Sequence, residues 1–151
     1  MRIVAQRVSR ASVRVAGDVV GEIGEGLLLL VGVGEDDGPA DAAVAAAKVS
    51  ELRVFPDEDD RMNRSLIDVG GQILVVSQFT LLGDVRKGRR PSFTAAAGPE
   101  QAKALIGELV SRLRAAGIET EEGRFGARME VDLVNDGPVT IILEVSQGRV
   151  V

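Results

Sequence analysis

Two short segments concentrate the groups able to do chemistry. Ser77-Gln78-Phe79-Thr80-Leu81 sets two hydroxyls and a carboxamide directly after the apolar residues Ile73-Leu74-Val75-Val76. If those four form a strand, its end is a place where the sheet fixes geometry while backbone amides leave the ladder. Free N–H groups there can hold a developing oxyanion. The commonplace reading is a turn, with Ser77 and Thr80 as caps and Phe79 filling the core. The second segment, Asn135-Asp136-Gly137-Pro138-Val139-Thr140, reads locally as a hairpin turn, because Asn-Asp-Gly is a turn signal. Nothing local specifies a cis bond, since only about 5–6% of X-Pro bonds in folded proteins are cis. A third segment, Arg86-Lys87-Gly88-Arg89-Arg90, packs four cations into five residues. It is either a solvated face or a clamp for substrate phosphates beside the first segment.

Absent residue types restrict the chemistry further. The chain has no Cys and no His. Thiolate nucleophiles, disulfides, imidazole-bound zinc and a Ser-His-Asp triad are excluded. Any general base is a carboxylate, a lysine, a water or the substrate itself, and no cofactor or metal is expected. Asp57 to Asp60 lack the spacing of a calcium loop, and Gly32-Val33-Gly34 does not develop into a phosphate-binding glycine motif. With no Trp or Tyr and four Phe, rows of stacking aromatics for nucleic acid are not expected. The net charge of −5 disfavours indiscriminate binding to a nucleic-acid backbone but allows a local basic patch.

Elements must position these segments. Val13 and Val15 alternate with Ser12 and Arg14 as in a half-buried strand, and Ala16-Gly17-Asp18 turns the chain into Val19 to Ile23. Leu27 to Val31 is a continuous apolar run suited to a strand covered on both faces. Ala40 to Leu52 reads as a helix, with Asp36 or Asp37 as cap and Pro39 in its first turn. A second helix runs from about Pro99 to Ala116, on the stripe Leu105, Ile106, Leu109, Val110 and Leu113, and Gly117 ends it. Ala127, Met129, Val131 and Leu133 alternate as a strand, which Asn135-Asp136-Gly137-Pro138 is expected to break before a last strand from Val139 to Val145. The class is α+β: mostly antiparallel sheets forming a barrel-like core with two helices, in one domain spanning residues 1–151. The N-terminus has no apolar signal region and no stretch is long enough to span a bilayer, so no membrane association and a cytoplasmic location are expected.

Val75-Val76-Ser77-Gln78-Phe79-Thr80-Leu81 and Leu133-Val134-Asn135-Asp136-Gly137-Pro138-Val139-Thr140 resemble the two signatures of the D-aminoacyl-tRNA deacylase family. Gln6-Arg7-Val8, Met62-Asn63, Arg90-Pro91-Ser92-Phe93 and Gly123-Arg124-Phe125 fall in the same family order. The resemblance implies hydrolysis of the ester joining a D-amino acid, or mischarged glycine, to tRNA. It implies a homodimer with active sites at the subunit interface, where a cis Gly137-Pro138 motif enters the partner's site and rejects L-side chains. It implies roles for Ser77, Gln78, Phe79 and Thr80 at the reacting ester, with backbone N–H groups around residues 77–79 as the oxyanion site. The ribose 2′-hydroxyl would assist, and Thr80 would position rather than attack, because no His can activate it. Phe125 and Met129 match positions near an adenosine pocket, and Arg7 matches one that supports the Gly-Pro motif. A non-enzymatic RNA-binding domain associated with translation, using the Arg86 to Arg90 loop, is the alternative.

Overall fold

The computed structural model describes residues 1–151. Strands β1 (Arg2–Val15), β2 (Asp18–Ile23) and β3 (Gly26–Gly32) come first, followed by helix α1 (Pro39–Glu51). A small pair, β4 (Phe55–Pro56) and β5 (Met62–Arg64), leads to the one-turn helix α2 (Leu66–Val69) and to β6 (Gln72–Ser77). After a 3-10 turn (Phe79–Leu82) come α3 (Pro99–Ala115), β7 (Thr120–Glu122), β8 (Glu130–Ser146) and β9 (Arg149–Val150). The main sheet has the order β7-β6-β3-β1-β8-β9, with β2 folded back on β1.

The α+β class and the barrel-like core agree with expectation, with two corrections. There are three α-helices rather than two, because Ser65 and Asp68 form a reciprocal cap around the single turn of α2. The sheet is mixed: β3 pairs parallel with β6, and β6 parallel with β7. Leu27 to Val31 in β3 lies between β1 and β6. Its apolar run fills both faces, and such a run reports burial without reporting strand direction. Gly26 faces the Gln72 backbone so closely that a Cβ would overlap it.

Each face of the sheet carries its own core. Ile3, Ala5, Leu29, Val75 and Leu143 face α1 and α3, where Ala45, Val49, Leu109 and Leu113 are buried. On the other face, Val8, Ala11, Val13, Leu28, Leu74 and Val76 pack inside the curl made by β2 and the first half of β8. Beyond that curl the face is open. Val4 pairs with Leu30 and with Ile142, which puts the three side chains together, and Ile142 is 68% exposed.

The expected cap of α1 differs in detail. Gly38 is the N-cap, and its N–H donates to the Asp41 carboxylate at 2.8 Å. Asp37 instead accepts from the Gly34 N–H and pairs with the Met1 ammonium. Asp41 is 2% exposed and also accepts from the Gly148 N–H at 2.8 Å, tying α1 to the β8–β9 hairpin. Burial pushes its carboxyl up, but the Gly148 and Gly38 amides and the N-terminal ammonium together outweigh burial and hold it below the usual carboxylate range. A lowered folded-state pKa contributes stability that is present above the unfolded value of about 3.9 and is lost as pH falls through the folded value. Asp41→Ala leaves two amides without acceptors, so a loss of about 3 kcal/mol at pH 7, roughly 10 °C in Tm, is expected. The variant's Tm should also depend less on pH below about 4 than the parent's. Thermal unfolding from pH 7 to pH 3 checks both, and parallel curves for the two proteins would contradict the assignment.

Candidate active site

Parallel strands β3 and β6 end side by side, with Val31 opposite Ser77. The Gln78 N–H extends the ladder by one step, donating to the Val31 carbonyl at 2.7 Å. The backbone then bends sharply at Gln78 (φ −146°, ψ 74°) into the 3-10 turn. Within that turn Leu81 N–H donates to Gln78 O and Gly83 N–H to Thr80 O. No side chain caps the start of the turn, so the Phe79 and Thr80 amides have no partner within it. Of the three amides expected at an oxyanion site, that of Gln78 is engaged by Val31. The opening of the turn at Phe79 and Thr80 is where donors are free.

A pocket of about 620 Å³ opens at these strand ends, a volume ordinary for a small-ligand site. Ser77, Gln78, Phe79, Phe125 and Met129 all line it. Ala102 and Ile106 of α3 contribute to the wall. Ser77 and Gln78 are the only lining residues with polar side chains; no carboxylate, lysine or arginine lines it. Thr80 is not a lining residue, but the Gln78 carboxamide donates to its hydroxyl. Phe79 does not fill the core as a turn residue would. It is 56% exposed and meets Phe93 edge-on, with ring centroids 5.1 Å apart. Phe93 lines the pocket; the sequence places it in a segment of the family order but gives it no site role. It is one of only four Phe, but nothing local shows that the chain returns it to Phe79.

Gly137, Pro138 and Arg7 form a second group, and none of them lines that pocket in the same chain. Asn135 to Pro138 do not break a strand. β8 runs continuously from Glu130 to Ser146 and pairs with β1 on both sides of the motif, Val8 with Asn135 and Gln6 with Thr140. The register shifts between Gln6 and Val8, so the extra residues bulge outward and Gly137 and Pro138 are exposed. The Gly137-Pro138 peptide is cis, and Gly137 has φ +133°. Arg7 braces the bulge: its Nε donates to the Asp136 carbonyl at 3.0 Å and its Nη1 to the Val54 carbonyl at 2.6 Å. Asn135, part of the second signature but without an expected role of its own, closes the bulge by accepting from the Val139 N–H and donating to the Thr140 hydroxyl. An Asn at the head of a bulge is invisible locally, because the same residue begins many turns.

The model of the D-Tyr-tRNA(Tyr) deacylase family matches residues 4–144, and the chain belongs to that family. Curated relatives named D-aminoacyl-tRNA deacylase include one from Desulforudis audaxviator, 58% identical over 144 residues, covering 95% of this chain and 97% of that protein. Another, from Thermomicrobium roseum, is 58% identical over 149 residues, covering 99% and 97%. Among solved structures, a c-Myc DNA unwinding element binding protein superposes with a TM-score of 0.90 at 40% identity, covering 97% of this chain and 99% of that one. A probable eukaryotic D-amino acid tRNA deacylase, at 19% identity and a TM-score of 0.81, covers 93% and 97% and shares the fold.

Proposed function

We propose that this chain is a D-aminoacyl-tRNA deacylase, hydrolysing the ester that joins a D-amino acid, or mischarged glycine, to tRNA in the cytoplasm. Family membership supports the reaction class. The observation that carries the site is the uncapped start of the 3-10 turn, at Phe79 on the wall of a pocket that holds no acid or base side chain. An aminoacyl ester is already reactive, so such a site needs to stabilise charge more than to supply a proton carrier. Water adds to the ester carbonyl, and the Phe79 and Thr80 amides hold the resulting oxyanion. The C–O bond to the ribose breaks, the tRNA regains its hydroxyl, and the amino acid leaves as the carboxylic acid. The neighbouring 2′-hydroxyl orients the water. Gln78 and Thr80 position the ester through their shared hydrogen bond, and the apolar wall with Phe125 and Met129 suits the flat face of the terminal adenine.

Chirality is read by the Gly137-Pro138 bulge of a second protomer. The bulge is exposed and lies apart from its own chain's pocket, which supports a role across an interface. The open sheet face at Val4, Leu30 and Ile142 is an apolar surface suited to a second copy. In this reading the motif excludes L-side chains by collision and leaves D-side chains and glycine free.

The deciding experiment compares release of amino acid from D-tyrosyl-, L-tyrosyl- and glycyl-tRNA by the purified protein. Rapid release from the D and glycyl esters, with the L ester left intact, is expected. Equal rates on D and L esters would remove the chirality assignment. Binding of all three without release would favour the RNA-binding alternative.

A further inference from the structure

Elsewhere in this acidic chain about half of the cations are paired with carboxylates, and Arg14, Lys48, Arg61, Lys103 and Arg149 stand singly along the chain without a salt bridge. Arg2 meets Glu144, Arg10 meets Asp132, Arg112 meets Glu108 and Arg114 meets Glu122. The segment from Asp84 to Ser92 is built differently. Asp84 and Ser92 close it as a loop by exchanging two backbone hydrogen bonds, of 2.7 and 2.9 Å. Arg86 folds back on Asp84 through two side-chain bonds and one amide bond, which fixes the base of the loop. Those bonds hold the Asp84 carboxyl below its usual range, so the clamp persists at neutral pH. Gly88 turns the tip with φ +72°. Lys87, Arg89 and Arg90 are exposed and make no salt bridge or side-chain hydrogen bond. Three cations held beside one another with no counter-charge repel, and an exposed loop has no packing reason to collect them.

Placement gives the loop its meaning. One end leaves the 3-10 turn at Gly83, and the other delivers Phe93 to the pocket wall against Phe79. Arg124 and Arg128 stand next to the lining residues Phe125 and Met129 in the chain, and both are exposed without a salt bridge or side-chain hydrogen bond. Unpaired cations therefore neighbour in sequence two of the lining segments, at Phe93 and at Phe125 to Met129, while the lining itself holds no charged side chain.

We propose that Lys87, Arg89 and Arg90 bind the phosphates of the acceptor stem while the 3′-terminal nucleoside occupies the pocket, with Arg124 and Arg128 holding the strand beside Phe125 and Met129. This rests on the deacylase reading above. Contacts of this kind position without reading sequence, so the loop sets affinity for tRNA and leaves amino-acid selection to the site. Each phosphate contact releases counterions and steepens the salt dependence. Three contribute roughly a 20- to 40-fold rise in KM between 50 and 200 mM salt.

The test uses two substrates, D-tyrosyl-tRNA and the minimal ester 3′-O-(D-tyrosyl)adenosine, which has no phosphate. In the triple variant Lys87→Gln, Arg89→Gln, Arg90→Gln, KM for the tRNA ester should rise at least about tenfold at 50 mM salt. Its slope against log salt should flatten by about 2 to 3, with kcat preserved and the minimal ester cleaved as by the parent. The charge-preserving variant Lys87→Arg, Arg89→Lys, Arg90→Lys should restore both KM and slope. Parental KM and slope in the Gln variant would overturn the proposal and leave the loop as a solvated face or a contact for an acidic protein. Equal loss on both substrates would also overturn it, since the loop would then act through the pocket. If the parent protein cleaves neither ester, it is the deacylase reading that fails.

Discussion

Gly137→Ala is expected to lower kcat/KM for D-tyrosyl-tRNA about 100-fold and to narrow the ratio of D to L cleavage about tenfold. The physical reason is local. At φ +133° an L-side chain is strained, and a Cβ would stand 2.8 Å from Val139 Cγ2, 3.0 Å from the Val139 nitrogen and 3.2 Å from an Arg7 guanidinium nitrogen. Neither Val139 nor Arg7 is free to yield. Val139 N–H is held by the Asn135 carboxamide, and Arg7 is tied to the Asp136 and Val54 carbonyls. The bulge must therefore move as a unit, by an amount comparable to the size difference it is proposed to detect. Because the site is exposed and lies outside both cores, a modest fall in Tm should accompany a large change in discrimination. Rates on the D, L and glycyl esters, measured with the Tm, separate the two effects. Parental discrimination in a folded Gly137→Ala protein would remove Gly137-Pro138 from the chirality mechanism.

The second large effect concerns the oxyanion. Phe79→Pro should reduce kcat about 100- to 1,000-fold relative to Phe79→Ala. Both variants lose the ring that meets Phe93, so packing is matched. Only proline removes the N–H. Residue 79 opens the 3-10 turn, a position whose backbone angles proline accepts and whose N–H has no partner within the turn. Single-turnover rates on D-tyrosyl-tRNA isolate the step. If the two variants cleave equally, the Phe79 amide is not a donor to the transition state, and Thr80 or another group must carry that charge.

Local patterns reported the elements that local forces decide. The Leu27–Val31 run, the α3 stripe from Leu105 to Leu113 and proline at the start of α1 were legible because burial and helical period are written in consecutive residues. Elements decided at long range were not. β1 begins at Arg2, but its register shifts between Gln6 and Arg10 change which face the side chains meet. Ile3 and Ala5 face the helices, and Val8, Ala11 and Val13 face the curl. No single alternation spans it, and only the part from Ala11 onward looks like a strand. Asn135-Asp136-Gly137-Pro138 carries every mark of a turn, yet pairing to β1 on either side keeps it within β8. The two-residue β9 and three-residue β7 are too short to show a period. For the site, the polar cluster after β6 stood out, and the family resemblance pointed to Phe125 and Met129. The uncapped turn, the engagement of the Gln78 amide by Val31 and the return of Phe93 depend on contacts that no short window contains.

The continuity of β8 bears on how accurately such a filter can work. A device that sorts enantiomers by collision tolerates positional noise smaller than a methyl group. A loop tip carrying Gly137 and Pro138 would swing through larger excursions and blur the two outcomes. Here the bulge is a short arch whose two feet are both paired to β1, with Arg7 and Asn135 as cross-braces beneath it. Fidelity in this protein would then be a mechanical property: the error rate follows from the stiffness of the strand that carries the filter as much as from the shape of the filter itself.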